Sequence, residues 1–233
     1  MAMIRTADVT IAVTEIEADL VRQKAPDASV VVVPNIHRSE RSKAAFEERH
    51  GVLFIGAWRH IPNRDAIEFL CHEIMPLVWQ QQPEITVDLV GSDIPVELFS
   101  DIDSRICVHG WVADLDPLYE EVRCTIAPLR FGAGLKGKVG DSLIRGVPVV
   151  TTAIGAEGFG AVGEALLLGE TAQEIADQLV RLHTDKNLWR DLANRGYDGI
   201  VEYFGFDAAR TALVRALARA DVSIPRNESS ISP

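Results

Sequence analysis

Short runs of β-branched and apolar residues recur along most of this chain and are separated by segments with helical spacing. Several of these runs are almost continuously apolar, which is typical of parallel strands that are covered on both faces. Strand–helix–strand alternation implies right-handed crossovers and a mostly parallel sheet. The sequence therefore predicts an α/β fold with a doubly wound, Rossmann-like parallel sheet. The predicted strands lie at 8–13, 29–33, 52–56, 85–91, 105–110, 123–128, 147–152 and 165–169.

The segments between these strands have the spacing of amphipathic helices. In the segment 63–79, the apolar residues fall on one stripe, and Asn63, which directly follows Pro62, is predicted to cap the helix. From Thr171 onward the chain is predicted to be helical, with helices at 171–184, 185–203 and 206–220.

A polar and highly charged stretch at 35–50 interrupts this alternation and predicts a linker. The residues before it supply only strand–helix–strand, which is too little chain to enclose a core. We therefore interpret residues 1–34 as the remnant of an N-terminal domain or, alternatively, as an appendage packed on the main domain. The main domain is predicted at 51–204, followed by a C-terminal helix at 205–222 and a loose tail at 223–233.

The composition excludes several classes of function. With 34 acidic against 23 basic side chains, the formal net charge is -11, so the chain repels nucleic acid and anionic lipid. No apolar run approaches the roughly 18–20 residues that a membrane span needs, and the N-terminus lacks a secretory pattern. Cys71, Cys107 and Cys124 lack CxxC spacing and are predicted to be buried, reduced thiols of a cytoplasmic protein.

The histidines and the nucleophile patterns predict no metal site and no covalent catalysis. The histidines have no metal-binding spacing, because His72 and Glu73 lack the second histidine of a zinc helix. His109 follows a predicted strand, and we assign it a hydrogen-bonded structural role. The chain contains no G-x-S-x-G motif.

The segment PLRFGAGLKGKVGDSLIRGVPVV at 128–150 concentrates glycines around Lys136 and Lys138. It leaves a predicted strand and enters a helix at about Leu135, at the edge of a parallel sheet where ligands bind. Lysines in the first turn oppose the positive end of the helix dipole unless an anion binds there. The alternative is that both side chains simply extend into water. Asp141, one turn further on, is placed to accept hydrogen bonds from a ribose, and this combination favours a nucleotide.

Three other loops follow predicted strands, at 56–63, 91–93 (GSD) and 109–112. GAWRHIPN at 56–63 offers Gly56 for close backbone approach and Arg59 as a cation, and HGWV at 109–112 places a glycine beside an aromatic ring. GFGAVG at 158–163 matches the dinucleotide-binding pattern, but it does not directly follow a strand and open a helix. We interpret it as a flexible loop. An NAD-dependent dehydrogenase would rest on that match alone.

The segment PLRFGAGLKGKVGDSLIRGVPVVTTAIGAEGF at 128–159 closely resembles the donor-site segment of glycosyltransferase family 4. VLFIGAWRHIPNRDAIEFL resembles the first strand–loop–helix of the family's C-terminal domain, and ITVDLVGSD and VHGWVADLDPLYEEVRCTIAPL resemble its middle. ADVTIAVTEIEADL and VVVVPNIHR resemble the end of the N-terminal domain and the crossover linker. The resemblance covers roughly residues 7–220.

The resemblance implies the GT-B fold, in which two Rossmann-like domains face each other across a cleft. The C-terminal domain of that family binds a nucleotide sugar, and the N-terminal domain supplies most of the acceptor site. The sugar is transferred with retention at the anomeric carbon, without a cofactor or a required metal. The chain would then be the C-terminal half of a hexosyltransferase-type enzyme, incomplete without an N-terminal domain. The catalytic residues remain unassigned because they would lie on that domain.

The resemblance also implies roles for individual residues. Lys136 would hold the donor diphosphate, with Arg59 as a second cation, and Asp141 would bind the ribose. The backbone of Gly132–Gly134 would follow the donor sugar and phosphates, Gly110–Val112 would border the base, and the loop Gly155–Gly158 would close the site. The predicted donor-binding set is Gly56, Arg59, Gly110, Trp111, Val112, Gly132, Ala133, Gly134, Lys136, Lys138, Asp141, Gly155 and Glu157.

Two departures from the family pattern leave alternatives open. Ala133 stands where the family has its first donor-site glutamate, and Asp141 is one methylene shorter than the second glutamate. The resemblance to the family's N-terminal domain covers only its last segment, so the chain would be either part of a longer enzyme or one half of a split enzyme. A non-catalytic nucleotide-sugar binding module and an epimerase of the same fold are the other readings. The sequence specifies neither the base and sugar of the donor nor the acceptor, which is a sugar, a lipid or another small molecule.

Overall fold

The computed structural model describes residues 2–99 and 103–222 of the chain. The chain divides into two compact units, Met1–Ile36 with Phe204–Pro233 and His37–Tyr203. The predicted loose tail at 223–233 lies outside the described residues.

The first unit contains two parallel strands, β1 (Thr10–Ala12) and β2 (Val30–Val32). The helix between them begins with a reciprocal cap. The hydroxyl of Thr14 accepts a hydrogen bond from the backbone N–H of Glu17, and the Glu17 carboxylate accepts one from the N–H of Val13. Arg219, near the C-terminal end of the chain, donates a hydrogen bond to the carbonyl of Val30. The helices of this unit are α1 (Ala2–Thr6), α2 (Glu15–Lys24) and α10 (Phe206–Arg219).

The second unit is built on a six-stranded sheet in which all pairings are parallel, with the strand order β5-β4-β3-β6-β7-β8. Each strand overlaps a strand that the sequence predicts, and the α/β, Rossmann-like fold is confirmed. The strands are β3 (His50–Ile55), β4 (Val87–Val90), β5 (Ile106–Gly110), β6 (Val122–Ala127), β7 (Val149–Thr151) and β8 (Leu167–Leu168).

Helices cover both faces of this sheet. Val52 and Phe54 of β3 contribute to the larger core, whereas Leu53 belongs to a smaller cluster with Tyr119 on the opposite face. This alternation explains why β3 is apolar at consecutive positions. The helices are α3 (Ile61–Phe69), a π-helical segment (Leu70–Ile74), α4 (Met75–Gln81), α5 (Val96–Phe99), α6 (Asp116–Glu121), α7 (Gly137–Leu143), α8 (Ala172–Thr184) and α9 (Lys186–Phe204).

The structure corrects two predictions of local backbone structure. The prediction that Asn63 caps its helix is wrong, because α3 already begins at Ile61, with His60 at the cap position. Pro62 is tolerated in this first turn because its missing N–H would have no partner there. The predicted flexible loop at 158–163 instead leads into a 3₁₀-helix (Gly160–Ala165), which forms because Val162 and Ala165 are buried.

Hydrogen bonds from Arg49 hold the end of the predicted linker in place within the second unit. Its side chain is almost completely buried and donates hydrogen bonds to the backbone carbonyls of Ala44, Tyr119 and Val122. Its guanidinium group also stacks over the ring of Trp189, 5.4 Å from the ring centre. Burial lowers the pKa of this arginine, but the hydrogen bonds to the backbone carbonyls stabilise its positive charge. Residues before β3 are thereby held against β6 and α9.

None of the helices among residues 2–99 and 103–222 has both the length and the apolar character needed to cross a lipid bilayer. The prediction of three buried thiols is correct for Cys71 and Cys124 but wrong for Cys107, which is exposed. Burial raises the pKa of both Cys71 and Cys124 to about 12. Cys107 lies on the outermost strand of the sheet, where one face of β5 remains open to solvent.

Gly140 of α7 packs directly against the ring of His37, since a Cβ atom there would lie only 2.3 Å from the Nε2 atom. We expect Gly140→Ala to destabilise the protein by about 1–3 kcal/mol, because the ring or the helix must shift. Urea unfolding measures this loss. Gly137→Ala is the matched control in the same helix, because a Cβ there meets nothing within 4 Å. Equal stabilities of the two variants would contradict the packing argument.

Candidate functional site

The sheet has its topological switch point between β3 and β6. These strands are neighbours, but the chain continues from β3 to β4 on one side and from β6 to β7 on the other. The connections therefore diverge and leave a crevice outside the carboxyl ends of the two strands, which is where open α/β sheets bind ligands. The loops that border this crevice follow Ile55 and Ala127.

A cleft of about 250 Å³ lies between these two loops. One wall comes from the beginning of α3, and the other comes from the glycine-rich segment after β6. Two lysines stand in an otherwise largely apolar lining, so an anionic ligand with an apolar part fits the cleft best. The lining residues are His60, Pro62, Asn63, Leu129, Phe131, Gly132, Ala133, Leu135, Lys136 and Lys138.

Lys138 turns towards the protein interior. Its Nζ atom donates a 2.7 Å hydrogen bond to Oδ1 of Asn63 and lies 4.4 Å from the centre of the Phe54 ring. The residue as a whole is partly exposed at the cleft, whereas its ammonium group is enclosed by these two partners. Burial, together with repulsion from Lys136, lowers the pKa of Lys138 to about 7. The alternative that this side chain simply extends into water is therefore excluded.

Lys136 supplies the second cation of the cleft. Its side chain is only 9% exposed, and its Nζ atom donates a hydrogen bond to the carbonyl of Gly134 and lies 3.4 Å from a carboxylate oxygen of Glu157. Two lysines with a single carboxylate between them leave excess positive charge in the cleft. An anionic ligand would offset that charge and relieve the repulsion between the lysines.

The helix after this segment begins slightly later than predicted. α7 starts at Gly137, with Lys136 at the cap position and Lys138 in the first turn. Because α7 has only seven residues, its dipole adds little, and the positive potential of the cleft comes mainly from the two ammonium groups. Gly132 and Gly134 adopt the left-handed φ values of 132° and 79° that shape the loop in front of it.

Asp141 lies one turn into α7, outside the residues that line the cleft. Its Oδ1 atom is 2.9 Å from Nδ1 of the buried His37, and about half of its side chain remains exposed. One oxygen is thus fixed by the histidine, and the rest of the carboxylate is open to a ligand.

Other predicted residues are not gathered into the cleft. Arg59 is 83% exposed and pairs with Asp93, and Trp111 is 74% exposed beyond β5. Val112 packs on the smaller hydrophobic cluster, and Gly110 has a φ of 69° at the end of β5. The structure therefore brings together Gly132, Ala133, Gly134, Lys136, Lys138 and Glu157, while Arg59, Gly110, Trp111, Val112 and Asp141 lie elsewhere.

Packing explains two of the predicted glycines. A Cβ atom on Gly56 would lie 2.6 Å from Cγ of Asn63, and one on Gly155 would lie 1.9 Å from Oγ1 of Thr151. Gly56 therefore leaves room for Asn63, which donates a hydrogen bond to the carbonyl of Ala57 and accepts one from Lys138. Sequence reasoning missed this role of Asn63, although a buried amide beside a loop glycine is a recognisable signal.

A sequence model of the family described as "Glycosyl transferases group 1" matches residues 49–185, which is more than half of the chain. The chain belongs to this family. The matched region runs from the start of β3 to the end of α8 and includes all the residues that line the cleft. No curated protein matches this group 1 glycosyltransferase chain.

Solved structures with the same fold include several glycosyltransferases. A mutant of TarM from S. aureus, in complex with Fondaparinux, alpha-GlcNAc-glycerol and UDP, has a TM-score of 0.77 at 14% identity. The alignment covers 94% of this chain and 45% of the TarM chain. The pneumococcal O-GlcNAc transferase GtfA, in complex with UDP and GlcNAc, has a TM-score of 0.73 at 15% identity. The alignment covers 93% of this chain and 46% of the GtfA chain.

A sucrose-phosphate synthase from Thermosynechococcus elongatus has a TM-score of 0.68 at 18% identity, with 94% of this chain and 60% of its own covered. These similarities show a GT-B-like fold. The chain spans about half of the length of the first two structures and less than two thirds of the third.

The lowered pKa of Lys138 predicts a pH-dependent stability. Its folded pKa of about 7 lies below the unfolded value of about 10.4. Between these values the unfolded chain binds the extra proton, so the free energy of unfolding rises with pH. We expect the stability of the wild type relative to Lys138→Met to increase by on the order of 1–2 kcal/mol between about pH 7 and pH 9. Urea unfolding at each pH measures it, and Lys186→Met, at a more exposed lysine, is the control. A difference that does not change with pH would contradict the assignment.

Proposed function

We propose that this chain is the donor-binding half of a retaining glycosyltransferase of the hexosyl-transferring type. It binds a nucleotide sugar in the cleft between β3 and β6, and a second domain, on the same or another chain, supplies the acceptor site. The observation that carries this proposal is the pair of poorly solvated lysines, Lys136 and Lys138, at the switch point of a sheet that belongs to the group 1 glycosyltransferases.

In the proposed complex, the donor diphosphate lies against Lys136. When the phosphate arrives, Lys136 exchanges its weak contact with Glu157 for a charge-assisted hydrogen bond. Lys138 lies deeper and adds positive potential without leaving Asn63. The two ammonium groups stabilise the charge that develops on the departing diphosphate, so the transfer needs no metal ion. TarM and GtfA, which share this fold, have been crystallised with UDP, and this supports a nucleotide as the ligand.

The remaining donor contacts follow from the same placement. The backbone of Gly132–Gly134 lies along the sugar and phosphates, and the half-exposed carboxylate of Asp141 binds the ribose. Gly110–Val112, which lie outside the cleft, border the base where the nucleotide extends beyond the cleft, and the loop that contains Gly155 and Glu157 closes the site. Arg59 joins the phosphates only after releasing Asp93, from which it is 3.1 Å away.

A non-catalytic binding module is the second candidate, and one observation favours it. Ala133 lines the cleft with a methyl group at the position where the resemblance places a glutamate. Such a module and an active donor domain would bind the same nucleotide sugar. Transfer of the sugar to an acceptor, once the partner domain is supplied, distinguishes them, and formation of an epimerised donor would instead identify an epimerase.

The first test is calorimetric titration of the chain with UDP, GDP, ADP and their sugar conjugates. We expect one base to be preferred and Lys136→Ala to lose about 1.5–3 kcal/mol of binding free energy, the usual value of a hydrogen bond to a charged group. That loss corresponds to roughly 10- to 150-fold in Kd. Lys24→Ala, at an exposed lysine in the other unit, is the control for a general loss of positive charge. Unchanged nucleotide binding by Lys136→Ala, or no binding of any nucleotide to the wild type, would refute the proposal.

The ribose assignment has its own test. We expect Asp141→Ala to weaken the binding of the nucleoside and of its diphosphate by a similar factor, because the carboxylate contacts the sugar that both ligands share. Asp141→Asn keeps an oxygen next to His37 and separates the ligand contact from this packing role. Calorimetry with both ligands gives the two ratios. A loss confined to the diphosphate would show that Asp141 acts on the phosphates instead.

A further inference from the structure

Three side chains that commonly bind metals converge on the outer edge of the sheet, away from the residues that line the cleft. Asp88 of β4 is paired in register with Cys107 of β5, and His109 follows two residues later on the same strand. Residues two apart on a strand face the same side of a sheet. Accordingly, one carboxylate oxygen, the Sγ atom and a ring nitrogen all lie within 4.8 Å of one another.

The cluster is accessible because β5 is the last strand of the sheet. Val87 and Leu89, on either side of Asp88, are buried in the larger core, so Asp88 faces the opposite side. Cys107 is exposed and carries a free thiol. The Nε2 atom of His109 lies 2.6 Å from Oδ1 of Asp88 and therefore already points into the cluster.

The set of donor atoms selects the kind of metal. A thiolate and an imidazole are poor ligands for Mg²⁺ and Ca²⁺ but are typical ligands of Zn²⁺. Around a tetrahedral zinc ion, with bonds of about 2.0–2.3 Å, neighbouring ligand atoms are separated by roughly 3.3–3.8 Å. The three atoms all lie within 4.8 Å of one another, but His109 Nε2 and Asp88 Oδ1 are only 2.6 Å apart. Side-chain rotations that exchange this hydrogen bond for bonds to the metal would complete the site.

We propose that this chain binds one zinc ion through Asp88, Cys107 and His109, with water in the fourth position. The Cys107 thiol gives up its proton to solvent as the Zn–S bond forms, and neutral His109 binds through Nε2. The zinc ion links β4 to the edge strand β5 and holds β5 just before Gly110. The site is separate from the proposed donor cleft.

The proposal is tested by titrating the chain with Co²⁺ and Zn²⁺. Before the titration, the chain is reduced with a phosphine and freed of metal. We expect one equivalent of Co²⁺ to give the visible bands of a tetrahedral complex and a near-ultraviolet sulfur-to-metal band, and Zn²⁺ to displace it. Removing one ligand, in Cys107→Ser or His109→Ala, is expected to weaken Zn²⁺ binding by more than about 10- to 100-fold, the loss typical of residues that merely hydrogen-bond to a ligand. Asp88→Asn tests the third ligand in the same way.

Two controls make the outcomes decisive. His50→Ala removes an exposed histidine from the start of β3 and is expected to leave metal binding unchanged. Circular dichroism of each variant establishes that it is folded, so that a lost site is not mistaken for a lost fold. Failure of the wild type to bind one equivalent, absence of the sulfur-to-metal band, or unchanged affinity in folded Cys107→Ser would each overturn the proposal. Lys136→Ala is expected to bind zinc like the wild type, which separates this result from the donor titration.

Discussion

The pairing of β3 with β6 is the constraint on which the rest of the second unit depends. These two strands are distant in sequence but adjacent in the sheet, and they bring together the loop that starts at Gly56 and the glycine-rich loop that ends at Lys136. The hydrogen bond from Lys138 to Asn63 then joins the two loops directly. The cleft therefore lies where the sheet brings these two loops together.

Removing the two lysine ammonium groups of the cleft from water costs free energy, and their contacts with neighbouring residues offset this cost only in part. Phe54 and Asn63 stabilise the ammonium group of Lys138 through its contact with the ring and one hydrogen bond, but neither partner carries a negative charge. Lys136, nearby, donates a hydrogen bond to the carbonyl of Gly134 and lies 3.4 Å from one carboxylate oxygen of Glu157. Buried charges without full partners are characteristic of sites that await a ligand. In contrast, Arg49 is more deeply buried but is surrounded by carbonyls, which suits a purely structural role.

Much of the fold was predictable because strand periodicity is a local property. β3 to β8 and the last three helices follow from runs of apolar residues that can be recognised without knowledge of their neighbours. The site was predictable only in part. The sequence singles out Lys136, Lys138 and Gly132, which line the cleft. The contact of Asn63 with Lys138 depends on strand order, which no local pattern specifies. Cys107 was misassigned for the same reason, since its exposure follows from the position of β5 at the edge of the sheet.

The π-helical segment Leu70–Ile74 sets the rotation of α4 relative to α3, and so determines which residues of the two helices face the same side. Buried residues recur every four positions at Ala66, Leu70, Ile74 and Val78. An α-helix has 3.6 residues per turn, so three such steps would carry this row about 120° around its surface. The wider π turn removes most of this rotation and keeps the row on one side. Deleting one residue from this segment would therefore put its two ends out of phase, so that the end bearing Asn63 and the end packed on α8 could not both keep their contacts.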